Sequence, residues 1–229
     1  MAAFIPCWLK CPIVPEWLTA VGTLGATFLA LVLALWGEKI SRVFVRPKLS
    51  LMKLHVGRPD SEAARRVNTK TGADLGIAYF FRLGIKNKGN TAAHDVQVFL
   101  ESVQRVTAKG SETVSEFTPM NLLWSYRDSA TLPTLLPNMP RVYCDLAHVE
   151  EPMHGVLTSA ERDADLTLDV EFPPSIGSHI LKAGTYHFDV IIAAANCRPR
   201  HYTLEVVFMG KWFSEEAKMF DIGFKMRTV

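Results

Sequence analysis

The chain has 229 residues, with 25 Lys and Arg against 23 Asp and Glu and a formal charge of +2, and its pI is near 8.3. The basic residues are spread along the chain with no concentrated stripe, which argues against nucleic acid as a partner. Four scattered cysteines, Cys7, Cys11, Cys144 and Cys197, make no disulfide scaffold, and no Asn-x-Ser/Thr sequon occurs, as expected of a reduced domain that meets no glycosylating lumen.

Residues 1–16 read as a short tail with Pro6, Pro12 and Pro15 and little charge. The run WLTAVGTLGATFLALVLALW, Trp17 to Trp36, follows with no charge between Glu16 and Glu38. Twenty residues at about 1.5 Å each come to roughly 30 Å, the thickness of a bilayer's hydrocarbon core. Six Leu, two Val and one Phe favour insertion by roughly 3 to 5 kcal/mol. Trp17 and Trp36 sit where indoles anchor at the two headgroup levels. A cleaved signal sequence would need a basic start, a shorter apolar stretch and small residues at the cut, and the run ends in bulky Trp36.

Lys39, Arg42, Arg46 and Lys48 follow the span, whereas only Lys10 and the amino terminus precede it. The positive-inside rule then predicts an outside N-terminus, a cytoplasmic C-terminal domain and residence in the inner (plasma) membrane. The same cations favour anionic headgroups of the lipid bilayer. Gly22, Ala26, Ala30 and Ala34 recur every four residues as a small-residue ridge, with Thr19, Thr23 and Thr27 beside it. Such a ridge lets helix backbones approach closely in lipid and predicts self-association or pairing with another membrane subunit.

Ile40, Val43 and Phe44 continue the helical spacing through a basic extension over 37–47, which Pro47 ends. The period then changes to two, and residues 48–229 read as one mainly β domain. Leu49 to Val56 is a first strand, and the polar stretch Gly57 to Asp74 a long mobile loop. In AYFFRLGIKNKGNTAAHDVQVFLESV, runs at Ile77 to Lys86 and Val96 to Val103 flank a corner at Asn87, Gly89 and Asn90. Leu83 and Ile85 alternate with Arg82 and Lys86, and Val96, Val98 and Leu100 with Gln97 and Phe99, so each strand has one dry face.

This unit, spanning Ile77 to Val103, resembles the strand–turn–strand repeat of bacterial immunoglobulin-like modules such as the adhesion-related domains, with Asn87, Gly89, Ala93 and Val96 at the matching positions. The resemblance implies an immunoglobulin-like antiparallel β-sandwich and implies nothing about function. Further strands are predicted at Arg141 to Leu146, Asp165 to Phe172, Gly184 to Ala194, Tyr202 to Met209 and Phe220 to Arg227, about eight in all, as in a sandwich. Gly110 to Pro140 reads as a long connection whose Phe117, Leu122, Trp124 and Tyr126 cap an open end.

Chemistry-bearing residues are few. Cys144, Asp145, His148 and His154 lie close in sequence but match no metal spacing, and strand-borne Cys144 reads as a small buried hydrophobe. Asp163, Asp165, Asp169 and Glu171 form a partly alternating acidic row, read as a solvated strand face. Arg198, Arg200 and His201 fall in a predicted inter-strand loop able to bind an anion, and Gly210 to Phe213 forms a second turn with an exposed aromatic pair. No catalytic or metal residues and no cofactor are assigned. The expectation is a non-enzymatic single-pass membrane protein whose cytoplasmic sandwich binds a protein partner or self-associates, possible homo-oligomers included. Two other readings are a membrane-disrupting effector of an antiviral or stress response, activated by clustering, and an envelope-facing adhesin or scaffold of inverted topology with oxidised Cys144 and Cys197.

Overall fold

The computed structural model describes residues 13–44, 46–54, 61–68, 70–114, 116–127, 129–152 and 161–229, with the backbone alone for 13–16, 37–44 and 161. It divides into two compact units, 1–45 and 46–229.

Among the described residues the first unit is one helix, α1 (Ile13–Phe44). It begins inside the expected tail, because Pro15 falls in the first turn, where no backbone N–H is needed by the helix. Its stretch Trp17–Trp36, with a mean hydropathy of 2.1, is long and apolar enough to cross a membrane. Thr23 and Thr27 turn their hydroxyls back onto the carbonyls of Thr19 and Thr23, each at 2.8 Å, so these groups are satisfied within the helix.

The second unit is mainly β. In chain order its strands are β1 (Leu49–Leu51), β2 (Ser61–Val67), β3 (Asp74–Asn87), β4 (Ala93–Thr107), β5 (Gly110–Thr113), β6 (Met120–Asn121), β7 (Thr131–Leu135), β8 (Val142–Glu150), β9 (Glu161–Asp163), β10 (Leu166–Leu168), β11 (Ile180–Leu181), β12 (Gly184–Ala194), β13 (Cys197–Phe208), β14 (Lys211–Phe213) and β15 (Phe224–Thr228). A short helix α2 (Glu216–Lys218) runs into a π turn at Met219–Gly223. One antiparallel sheet has the order β1-β3-β8-β10-β11, with β2 also on β3; the other has β15-β13-β12-β4-β5, with β6 and β7 also on β4; β14 pairs with β9.

The dry faces of both sheets meet in one core. Tyr79, Phe81, Leu83 and Ile85 of β3 face it, as do Tyr186, Phe188, Val190 and Ile192 of β12. Phe81 of the first sheet stacks on Phe224 of the second at 3.7 Å between ring centroids, and Phe220 meets Tyr79 and Phe81 edge-on. In β4 the buried series Val96, Val98, Leu100 jumps to Val103. A bulge opposite Asp189 and Val190 inserts Glu101 and restores the phase.

The two strands of the Asn87 unit do not pair with each other: β3 belongs to one sheet and β4 to the other. The Asn/Gly corner therefore crosses between sheets. Asn87 is fully buried and uses its whole amide. Its Oδ1 accepts from Gly89 N at 2.9 Å and Lys48 N at 3.1 Å. Its Nδ2 donates to the Thr91 carbonyl at 2.7 Å and the Leu135 carbonyl at 3.0 Å. A Cβ at Gly89 would lie 2.4 Å from the Arg46 carbonyl oxygen and 2.5 Å from Lys48 N, so only glycine lets the entering strand pass.

Four expectations are corrected. First, the polar stretch up to Asp74 contains β2, which pairs along β3 through a turn where Asn68 Oδ1 accepts from Lys70 N and Thr71 N; residues 55–60 lie outside the described residues. Second, the Gly110 to Pro140 segment holds three short strands on β4, and Leu122 and Trp124 enter the core, the indole donating to the Val96 and Ala130 carbonyls, while Tyr126 is exposed. Third, Trp212 and Phe213 are buried in β14. Fourth, Arg198, Arg200 and His201 lie on β13, and the loop before it is the tight turn at Ala195 and Asn196.

Asn87→Ala should lower stability by at least about 2 kcal/mol, since it orphans buried backbone groups on three segments, and Gly89→Ala should cost more by driving a Cβ into backbone. Urea unfolding should show lower midpoints with an unchanged slope.

Candidate functional site

On the outer face of the first sheet, β3 places Arg82 in the middle of a polar network. Its side chain is only 6% exposed. The guanidinium donates from Nε to Asp145 Oδ1 at 2.8 Å, from Nη1 to the Tyr126 hydroxyl at 3.0 Å, and to Glu62 of β2. Its carbon lies 4.7 Å from the Tyr126 ring centroid and 5.9 Å from that of Phe80. The Ser125 hydroxyl donates to Asp145 at 2.6 Å, and the Tyr126 hydroxyl donates to Glu62. Tyr126 adopts φ 62, a conformation non-glycine residues rarely take, and it brings the ring over Arg82.

Burial opposes the charge on Arg82, but the hydrogen bonds and attraction from Glu62 and Asp145 outweigh it and raise its pKa, so the guanidinium stays charged. Burial pushes the Asp145 carboxyl upward, and Ser125 and Arg82 hold part of that rise back. Tyr126 is raised first by its bond to Glu62. One cation and two carboxylates share the site with two hydroxyls around them, which clamps β2, β3, β8 and the Tyr126 turn together.

A bulge in β8 at Leu146, opposite Phe81 and Arg82, sends Cys144 inward and Asp145 outward. Cys144 is buried, its thiol donating to the Leu123 carbonyl at 3.2 Å; burial first, then Asp145 and Asp169, push it well above its ordinary range and keep it protonated. His148 faces outward between Asp169 at 2.8 Å and Glu150 at 3.1 Å, and Glu150 also pairs with Arg66. The thiol, carboxylate and imidazole thus point to different partners, and His154 lies outside the described residues. Among the described residues no three or more His, Cys, Asp or Glu are arranged to hold a metal ion.

The acidic row divides. Asp163 pairs with Lys211 at 2.7 Å and Asp165 with Lys182 at 2.6 Å, Asp169 with His148, and Glu171 accepts from Asn121. Asp163 and Asp165 line an open groove of about 720 Å³ with Glu150, Glu151, Thr167 and Lys182. Lys211 and its hydrogen bond hold the Asp163 carboxyl below its usual range.

On β13, Arg200 pairs across from Ile192 and His201 from Ile191. Alternation turns them to opposite faces, so the three expected anion-binding residues Arg198, Arg200 and His201 do not converge. His201 lies 3.9 Å from Glu101. Cys197 is half-buried and, like Cys144, a free thiol; burial raises its pKa while Arg200 opposes this.

On α1 Gly22, Ala26, Ala30 and Ala34 are exposed, as are Trp17 and Trp36. A Cβ on Gly22 would meet nothing within 4 Å. The side chains of Lys39 and Arg42 lie outside the described residues; Arg46, in the β unit, donates its backbone N–H to Asn90 Oδ1 at 3.0 Å. Comparison with family models, curated proteins and solved structures finds no match for this chain.

Sequence reasoning missed the network of Glu62, Arg82, Ser125 and Tyr126. Its one signal was an arginine inside the long apolar run of β3. Arg82→Met should destabilise by about 3 kcal/mol, because Glu62 and Asp145 lose the buried cation they share and the hydroxyls of Tyr126 and Ser125 do not replace its charge. The Asp145 carboxyl, already raised by burial, then rises further above its unfolded value, near 4, so that stability is greatest below that pH and falls as pH rises through the folded value. Urea midpoints for the variant should fall further behind the unaltered chain at pH 7 than at pH 5.

Proposed function

We propose that this chain is a single-pass protein of the inner (plasma) membrane, N-terminus outside, whose cytoplasmic β unit binds a protein partner or a second copy. The observation that carries this is the charge-free Trp17–Trp36 stretch. An apolar helix of this length with no buried residue in the stretch finds its cheapest surroundings in hydrocarbon. The excess of Lys and Arg on its C-terminal flank supports the orientation. Gly22, Ala26, Ala30 and Ala34 supply a surface for close helix contact, and the self-satisfied Thr23 and Thr27 hydroxyls leave that contact to van der Waals packing.

For the β unit we infer an immunoglobulin-like sandwich. The order β4-β12-β13 corresponds to strands C-F-G of that fold, and β1-β3-β8 to A-B-E. The passage from β3 to β4 changes sheets, as the B-to-C connection does. The fourth strand departs from the pattern: β10 follows β8 in sequence, whereas D precedes E. The protein contacts made by such modules lie on sheet faces and end loops, which is consistent with partner binding.

A C-terminal reporter should resist protease in intact cells and be cut after lysis; labelling Cys144 would not report topology, since that thiol is buried. In bilayers, energy transfer between labelled copies should be lost in Gly22→Leu and Ala26→Leu and kept in Leu24→Ala, on the opposite side of the helix. Absence of transfer in the unaltered chain would remove self-association through the helix.

A further inference from the structure

Elsewhere in the β unit many of the basic side chains are answered by carboxylates. Arg65 pairs with Asp74, Arg66 with Glu150, Arg162 with Glu151, Lys182 with Asp165, Lys211 with Asp163 and Arg227 with Glu205. At one end of the unit this stops. Four segments meet there: 46–50, 86–95, 136–142 and 193–201. Lys88 N donates to the Lys48 carbonyl at 2.8 Å, Asn138 N to the Asn87 carbonyl at 3.3 Å and Ala195 N to the His94 carbonyl at 2.9 Å. Ser50 pairs with Lys86, and the Cys197 sulfur accepts from Leu49 N. In these segments Asp95 is the only carboxylate.

Besides Arg141, the Lys and Arg residues gathered at this end are Arg46, Lys48, Lys86, Lys88, Arg198 and Arg200. Arg46, Lys48, Lys88, Arg198 and Arg200 are exposed and Lys86 half-buried. None of the six forms an ion pair among the described residues. They come from three stretches of sequence far apart, which is why the linear charge pattern shows no basic patch. Folding creates the patch.

We propose that this end of the β unit is a docking surface for an anionic lipid bilayer. The proposal rests on the reading of α1 as a membrane span. Charge complementarity is one argument: six unpaired cations against a sheet of phosphate-bearing headgroups. The tether is the other. α1 continues to Phe44, so the contour from Trp36 to Arg46 is at most about 20 Å. Arg46 and Lys48 are fixed to the corner by bonds to Asn90 and Asn87. A surface tied that closely to the span meets the headgroups at high effective concentration, whereas a nucleic acid would have to be recruited from solution. The patch then holds the β unit against the leaflet and orients it, leaving the opposite end and the outer sheet faces free for a partner.

The test uses the full chain in nanodiscs of phosphatidylcholine with or without phosphatidylglycerol. Acetylation rates of individual lysines are read by mass spectrometry, with exposed Lys109 and Lys225, which lie outside the four segments, as internal references. Lys48, Lys86 and Lys88 should be slowed on the order of five-fold by phosphatidylglycerol, with recovery in high salt, while Lys109 and Lys225 keep their rates. In Arg198→Glu/Arg200→Glu, which alters exposed side chains only, the protection of Lys88 should be largely lost. Equal rates in both lipids, uniform slowing that includes the reference lysines, or protection by an added oligonucleotide instead of by phosphatidylglycerol would each overturn the proposal. Failure of the chain to enter either nanodisc would overturn the span reading and the docking with it; entry with lipid-independent rates would overturn the docking alone.

Discussion

The β unit depends on one amide. Asn87 ends β3 at the point where the chain must leave one sheet and start the other, and it ties Lys48, Gly89, Thr91 and Leu135 into a single corner. Each of these backbone groups is at the end of a strand, where the ladder no longer supplies a partner, and burial would make an unanswered one costly. An aspartate could accept but not donate, and a glutamine would place the amide one methylene too far, so asparagine alone meets the requirement. The same corner fixes the register of β1, since Leu49 pairs with Asn87 directly. Through β1 it determines where the chain arriving from the helix joins the core.

What was legible in the sequence follows from how far each signal is local. The apolar helix was readable because the length and composition that would let it cross a membrane are carried by one contiguous segment. β12 was readable to the residue, Gly184–Ala194, because its alternation runs unbroken between two turns. β2 was not, since its alternation is carried by Ser61, Ala63 and charged residues that look like a polar loop until β3 is beside them. Trp124 was misplaced for a related reason: nothing near it in sequence announces that its indole will donate to Val96 and Ala130 carbonyls inside the core. Bulges at Glu101 and Leu146 shift the phase of alternation and hide the true dry face from a strict period of two.

The sites show the same division. The local sequence puts Arg198 and Arg200 in a loop, and the structure places them on a strand, where they gain meaning only beside Lys48 and Lys88 from elsewhere in the chain. Alternation puts Arg82 on a wet face, yet the outer face of β3 is dry at that point. Turning Tyr126 into a positive-φ conformation to cover a guanidinium is a long-range arrangement, with Glu62, Ser125 and Asp145 supplied by three other segments. A buried ion network of this kind is weak support for stability in itself, because desolvation offsets most of the attraction. The observed register of β2 on β3 brings Glu62 to Arg82.

The way the sheets end bears on where association can occur. An exposed strand edge invites another chain to pair with it. Here β4 is covered along its free side by β5, β6 and β7 in succession, and β11 and β1 are too short to template a partner. The longer edges, β2 and β15, carry Arg65, Arg66, Lys225 and Arg227, and such charges disfavour edge-to-edge pairing. Strand addition is therefore a poor route to a complex for this unit. The helix is built the other way: its ridge of Gly22, Ala26, Ala30 and Ala34 is flat, uncharged and continuous, and in lipid close packing is what drives helices together. The association we propose thus falls to α1, with the β unit's faces left for recognition.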